Sequence, residues 1–348
     1  MKKVFAIILA LALVLSMVAC GAEKSNAVDI AVLVPNADHG WTGAVMTYAE
    51  EYVAQINDAG KYTAKVITST DAANQISQIE DLIENKTAKN VVILPQDNTV
   101  EASMKKLAGS GIPFVMFDRI IDSVSADAVA SVKGDNNGIG AETAKRFIAN
   151  GMKPGDKILI IPGDNSSVPG MRNDGFKAVL AENGWTQEQI DAIESTDYTG
   201  WSRSKGKELF ISWLDAHTVE EITACKWIFT HDDEIAMGML EALKSSEIDA
   251  EKKDAFYAAQ PHIGTSSGLN EIYSVLKGIH QKDYSAEVAN LGDLFSVTYD
   301  PAMIQTAIQD MIDKLEGKEV PQDHVVPVSV VDATNVSEFK GFGDAVSA

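Results

Sequence analysis

Short stretches of this chain place charged, amide and aromatic side chains where apolar runs stop. They read "PNADHGWTG" (35–43), "PQDN" (95–98), "FDR" (117–119), "GDNNG" (134–138), "PGDNSSVPGMRNDGF" (162–176), "DYTGW" (197–201) and "FTHDDE" (229–234). Asp, Asn and Ser are favoured at helix N-caps, and capping accounts for Asp97, Asn98, Asp135 and Asp233. It does not account for Arg119, Arg172, Trp41 or Trp201, since cations and indoles have no special use at a helix N-terminus. With Asp118, Asn136 and Asp232 they describe a pocket of planar hydrogen-bonding groups with aromatic walls. Such a mixture suits a sugar. Its hydroxyls both donate and accept, which calls for Asp and Asn beside the donor fork of Arg, and its C–H faces pack on aromatic rings. A phosphate ligand would need more basic groups. An apolar ligand would leave these charges unpaired, at a cost of several kcal/mol.

A second stretch offers different chemistry. "GTSSG" (264–268) fits G-x-S-x-G, the pattern that can hold a nucleophilic serine on a sharp strand-to-helix turn. Ser266 would be the nucleophile, followed in chain order by Asp293 or Asp300 and then His324. No HGGG-like oxyanion segment precedes it, and a single serine motif leaves the other polar strand ends unexplained, so the hydrolase is the minor reading. Asp118 and Asp232 as a glycosidase acid/base pair are disfavoured too, because their partners suggest ionised acceptors. There is no HExxH, no paired CxxC, no D-x-D-x-D-G loop, no P-loop and no dinucleotide fingerprint. No metal and no cofactor are expected.

The elements that must position these residues alternate. Apolar runs "IAVLV", "AKVIT", "VVILP", "PFVMF", "KILIIP", "WIFTH" and "FYAA" read as strands, several of them buried on both faces. Between them lie amphipathic helices, with Ile76, Ile79 and Ile83 on one face, and Ile304, Ile308, Met311 and Leu315 on another. Gly60, Gly111, Gly151, Gly184 and Gly278 stop helices. Such alternation predicts parallel sheets covered by helices, and the length suits two of them. In open α/β sheets ligands bind beyond the carboxyl ends of the strands, which is where the polar stretches lie.

The chain has 348 residues, a net charge of −21 and a pI near 4.6. That balance argues against nucleic acid, whose phosphates need Lys and Arg. Lys2 and Lys3 precede "VFAIILALALVLSMVAC", a basic region, an apolar run and small residues. The run is shorter than the ~20 residues of a spanning helix. It resembles a bacterial lipoprotein signal, implying cleavage after residue 19, lipidation of Cys20 and a polar tether over 20–27. Cys225 then stands alone and is expected in the core.

The order and spacing of the polar stretches resemble a known family. "FVMFDR" followed by "GDNNGIGA", then "MRNDGF" and "FTHDDEIAMGMLEAL", are similar to periplasmic sugar-binding proteins of the ribose/galactose type, the binding components of ABC importers. The resemblance runs from about Val28 to Thr334. It implies an α/β fold of two doubly wound parallel-sheet lobes joined by a hinge of three chain crossings, the type I periplasmic binding protein architecture. The first lobe would take 28–134 and 300–326, and the second 135–299 and 327–348. Carried over residue by residue, the ligand contacts fall on His39, Trp41, Asp118, Arg119, Asn136, Arg172, Trp201, Asp232, Ser266 and Tyr299. Ser266 would replace a carboxylate, with Gln260 or His262 as alternatives for that wall. The resemblance further implies a monosaccharide ligand, an ABC permease as partner, a monomer, and an extracytoplasmic protein held at the membrane through Cys20. A receptor module serving a membrane sensor is the alternative to uptake. A sugar-responsive transcriptional regulator is disfavoured, since a signal peptide stands where its DNA-binding helices would be.

Overall fold

The computed structural model describes residues 27–36, 40–298 and 300–343. Cys20, its leader, His39 and Tyr299 lie outside them. Two six-stranded sheets organise the rest. The first contains β1 (Val28–Pro35), β2 (Ala64–Ser69), β3 (Ala88–Ile93), β4 (Phe114–Phe117), β5 (Ala130–Gly134) and β11 (Asp323–Val326), in the order β11-β5-β4-β3-β1-β2. The second contains β6 (Lys157–Ile161), β7 (Glu194–Ser195), β8 (Cys225–Thr230), β9 (His262–Ser267), β10 (Asp293–Thr298) and β12 (Ser329–Val331), in the order β12-β10-β9-β8-β6-β7. Every pairing is parallel except β10 with β12. The carboxyl ends of the parallel strands therefore share one edge in each sheet.

The chain passes between the sheets after Gly134, after Thr298, and again between Val326 and Ser329. The late helix Met303–Leu315 packs on β4 and β5 of the first sheet. Its buried Ile304, Ala307, Ile308 and Met311 make the apolar stripe that requires such a partner.

Strand composition explains the layering. Ile30 to Val34 in β1 are wholly buried, as a strand covered by helices on both faces must be. Under the second sheet Phe147 meets Phe176, Trp227 and Phe295 with ring centroids 6.1, 5.3 and 5.8 Å away. Truncating so enclosed an aromatic costs about 3–5 kcal/mol. Cys225 is buried here as expected, and burial pushes its thiol up to about 12.

The "FYAA" run is not a strand. It closes the helix Ala250–Ala259, and the strand beside it is His262–Ser267, whose end is the serine motif itself. Phe256 and Ala259 are buried by a helical face, and a short apolar run does not distinguish the two periods.

Candidate functional site

One cavity lies between the two carboxyl edges. Its walls are Trp41, Asp118 and Arg119 from the first sheet's side, and Val168, Arg172, Trp201, Asp232 and Ser267 from the second. Its empty volume, with the open solvent at its entrance included, is about 340 Å³. The lobes also touch directly beside it. Arg119 Nη2 lies 3.6 Å from Asp164 Oδ2, and Asn98 Nδ2 donates to the Asn165 carbonyl at 3.1 Å.

The first sheet presents its residues through tight backbone geometry. Asp118 follows β4 with φ +59, its N–H donating to Val132 O at 2.8 Å, so the chain turns at the strand end and carries Arg119 round with it. Arg119 donates through Nη1 to the carbonyl of Gln96, while its Nε is buried and bonded to no described residue. Trp41 sits in the first turn of the helix Gly40–Ala59 and stacks on Phe117, centroids 6.0 Å apart and planes 10° apart.

Arg172 is the centre of the second wall. It is 4% exposed and projects from the helix Ser167–Glu182. Its Nε donates to Asn136 Oδ1 at 3.0 Å, and its Nη1 donates to the His231 carbonyl and to Ser266 Oγ, the latter at 2.8 Å. Neutral acceptors fix the guanidinium without neutralising it. Asn136 reaches Arg172 because two helices approach closely: a Cβ on Gly140 would lie 1.8 Å from Arg172 O, and one on Gly175 1.9 Å from Asn137 O. Trp201 follows Gly200 in the left-handed region at φ +63, and the Arg172 guanidinium lies 5.4 Å from its ring. The indole rests on Gly163, where any Cβ would intrude to 2.3 Å.

Asp232 ends the β8 segment. It caps the helix Asp233–Lys244, accepting from Glu234 N at 2.9 Å, and also lines the cavity. Burial, followed by the neighbouring Asp233, holds its carboxyl well above the ordinary range. Asp233 is no cap. It is wholly buried and accepts from Gly268 N, Leu269 N and Ser296 Oγ at 2.7, 2.8 and 2.9 Å.

Of the residues singled out by sequence, Trp41, Asp118, Arg119, Arg172, Trp201 and Asp232 converge on the cavity. Asn136 and Ser266 stand one layer back, holding Arg172. Gln260 and His262 do not approach it. They lie at the opposite end of β9, where His262 stacks on Trp227 with centroids 4.5 Å apart. Sequence reasoning missed Ser267 and Val168.

The hydrolase geometry is not assembled. Ser266 Oγ donates to the His231 carbonyl at 2.7 Å, while His324 lies in the first sheet against Asp310 at 3.1 Å. Asp293 begins β10 and pairs with Arg146 at 2.8 Å. Among the described residues no cluster of His, Cys, Asp and Glu could hold a metal ion.

Comparison with known proteins agrees with this architecture. The chain is 28% identical over 196 residues to the ribose import binding protein of Bacillus subtilis, a match covering 55% of this chain and 59% of that protein's length. It is 23% identical over 346 residues to the fructose import binding protein of Bifidobacterium longum, covering 97% and 96% of the two chains. Among solved structures, an ABC transporter solute-binding protein from Mycobacterium smegmatis with bound glycerol superposes with a TM-score of 0.71 at 22% identity, over 92% of this chain and 99% of that one. Residues 30–319 match the family described as the periplasmic binding protein domain, and the chain belongs to that family.

Proposed function

We propose that this protein captures a monosaccharide between its two lobes outside the cytoplasm and hands it to an ABC permease. The observation that carries the reading is the convergence of Trp41 from one sheet with Arg172 and Trp201 from the other on a single cavity. Indole plates suit the C–H faces of a sugar ring, and Asp118, Arg119, Arg172, Asp232 and Ser267 suit its hydroxyls. The names of the ribose and fructose import relatives support the same ligand class and an importer as partner. Both relatives are binding proteins, in keeping with a site that holds no assembled nucleophile and base.

Binding would proceed by closure. The ligand touches both lobes only when they are together, and that difference in contact is what favours the closed form. The ligand contacts we assign are Trp41, Asp118, Arg119, Arg172, Trp201, Asp232 and Ser267, with Asn136 and Ser266 as supports. His39 and Tyr299 remain assigned from the family resemblance alone. Lipid on Cys20 would keep a monomeric protein beside its permease. One acyl chain holds only marginally, and a diacylglyceryl anchor supplies two.

Thermal denaturation across a panel of pentoses, hexoses and polyols tests the reading. A true ligand raises the melting temperature by mass action. A panel in which no saccharide raises it refutes the proposal.

A further inference from the structure

Two adjacent serines end β9, and the fold gives them different duties. Ser266 is wholly buried, and its Oγ donates to the His231 carbonyl at 2.7 Å while accepting from Arg172 Nη1 at 2.8 Å. Its single donor is used within the protein. Ser267 is 4% exposed, lines the cavity, and its Oγ is buried with no hydrogen-bond partner among the described residues.

The backbone at Ser267 is unusual as well. Its φ is +135, a region open to glycine and costly for any side chain. Neighbouring groups fasten it there. Thr298 Oγ1 donates to the Ser267 carbonyl, and the buried carboxylate of Asp233 receives the next two amides, Gly268 and Leu269, at 2.7 and 2.8 Å. Glycine would satisfy this geometry without strain. A serine that strains the chain and whose hydroxyl bonds nothing inside it points to a partner held in the cavity.

We infer that Ser267 is a specificity-determining contact, donating its hydroxyl hydrogen to one hydroxyl oxygen of the bound sugar. Arg119, which lines the same cavity from the first lobe, carries a second buried donor with no partner among the described residues, its Nε. Both donors need oxygen acceptors, so the ligand must be hydroxylated where each points, and a sugar deoxygenated at the carbon facing Ser267 is rejected. The inference rests on the monosaccharide reading and goes beyond it by naming the residue that discriminates.

Calorimetric titration with D-ribose, D-xylose, D-fructose and D-galactose, then with each monodeoxy analogue of the tightest of them, tests it on the wild-type chain and on Ser267→Gly and Ser267→Ala. Ser267→Gly should raise the ligand-free melting temperature by roughly 1–3 °C through relief of strain, while weakening the parent sugar about tenfold or more. One monodeoxy analogue rejected by the wild type should bind both variants as well as the parent sugar does, because a site that has lost its donor no longer discriminates. Variants that keep wild-type affinity and preference overturn the assignment and leave the sugar reading standing. Loss of affinity accompanied by a lower ligand-free melting temperature in Ser267→Gly marks a structural residue and also overturns it. A wild-type chain whose melting temperature no saccharide of the wider pentose, hexose and polyol panel raises removes the sugar reading and this inference together.

Discussion

The guanidinium of Arg172 lies 5.4 Å from the indole of Trp201, so the charge and the plate of the second lobe form one unit. Three neutral acceptors hold that unit from behind. Arg172→Ala should abolish the sugar-induced thermal shift. It should also lower the ligand-free melting temperature, since Asn136, Ser266 and the His231 carbonyl lose a charged donor, at about 1–3 kcal/mol for each group left unsatisfied. Arg172→Lys keeps the charge but not the fork, and is expected to bind at least about a hundredfold more weakly than wild type. Calorimetry on both variants checks the pair, and undiminished binding by either removes Arg172 from the site.

Gly163 offers a way to move Trp201 without touching the cavity. A methyl there would lie 2.3 Å from the indole, which must then lift from its seat. Gly163→Ala should weaken sugar binding by tenfold or more, taking a displacement cost of about 1–3 kcal/mol, and should shift the tryptophan emission while circular dichroism stays native. An unchanged emission maximum would show that the indole does not rest there.

Direct contact between the lobes sets another expectation. Arg119 is buried and Asp164 is about one-fifth exposed, and their charges face each other at 3.6 Å between the lobes. Beyond hydrogen-bond reach, and with Asp164 in contact with water, the pair is worth about 1 kcal/mol. Asp164→Ala should therefore loosen the closed form modestly, raising Kd up to about fivefold, with less effect at high salt. Titrations at low and high ionic strength measure both quantities; a salt-independent change would exclude the ion pair as its cause.

His231 gives the pH dependence. Burial, with the Arg172 charge adding to it, holds this imidazole well below its ordinary range of about 6.5. Below that range the unfolded chain takes up a proton that the native chain refuses, so native stability rises with pH through the window and falls on acidification. The slope approaches about 1.4 kcal/mol per pH unit at most. Asp232 acts in the opposite direction: its raised carboxyl favours the native chain in acid, and that contribution fades as pH rises through its native value. Since Asp232 is common to both proteins, wild type should lose more melting temperature than His231→Asn between pH 7.5 and 5. Parallel curves would contradict a buried neutral histidine.

The cavity walls were legible because they break a rule. Arg119 follows β4, Trp41 and Arg172 lie early in the helices that follow β1 and β6, and Trp201 lies in the loop after β7; capping explains acids and amides there but not cations or indoles. Single-residue register was not legible. Asp232 and Asp233 exchange roles with a shift of one position, since one caps the helix and its neighbour ties down Gly268 and Leu269. Ser266 and Ser267 divide similarly. Alternation along β9 sends one behind the wall, and a positive φ, invisible in the letters, turns the other toward the cavity. "FYAA" misled for a different reason, as four apolar letters fit either a strand or the last turn of a helix.

Among the described residues the chain crosses between the sheets three times, and the last crossing is just Pro327 and Val328 between β11 and β12. A rotation about so slender a waist would be magnified at the rim. Asn98 and Asn165, which touch across the mouth at 3.1 Å, would part widely for a small turn. Paired dyes placed there would convert capture of a dissolved molecule into light, and Cys225, sealed in the core, would not compete for the label.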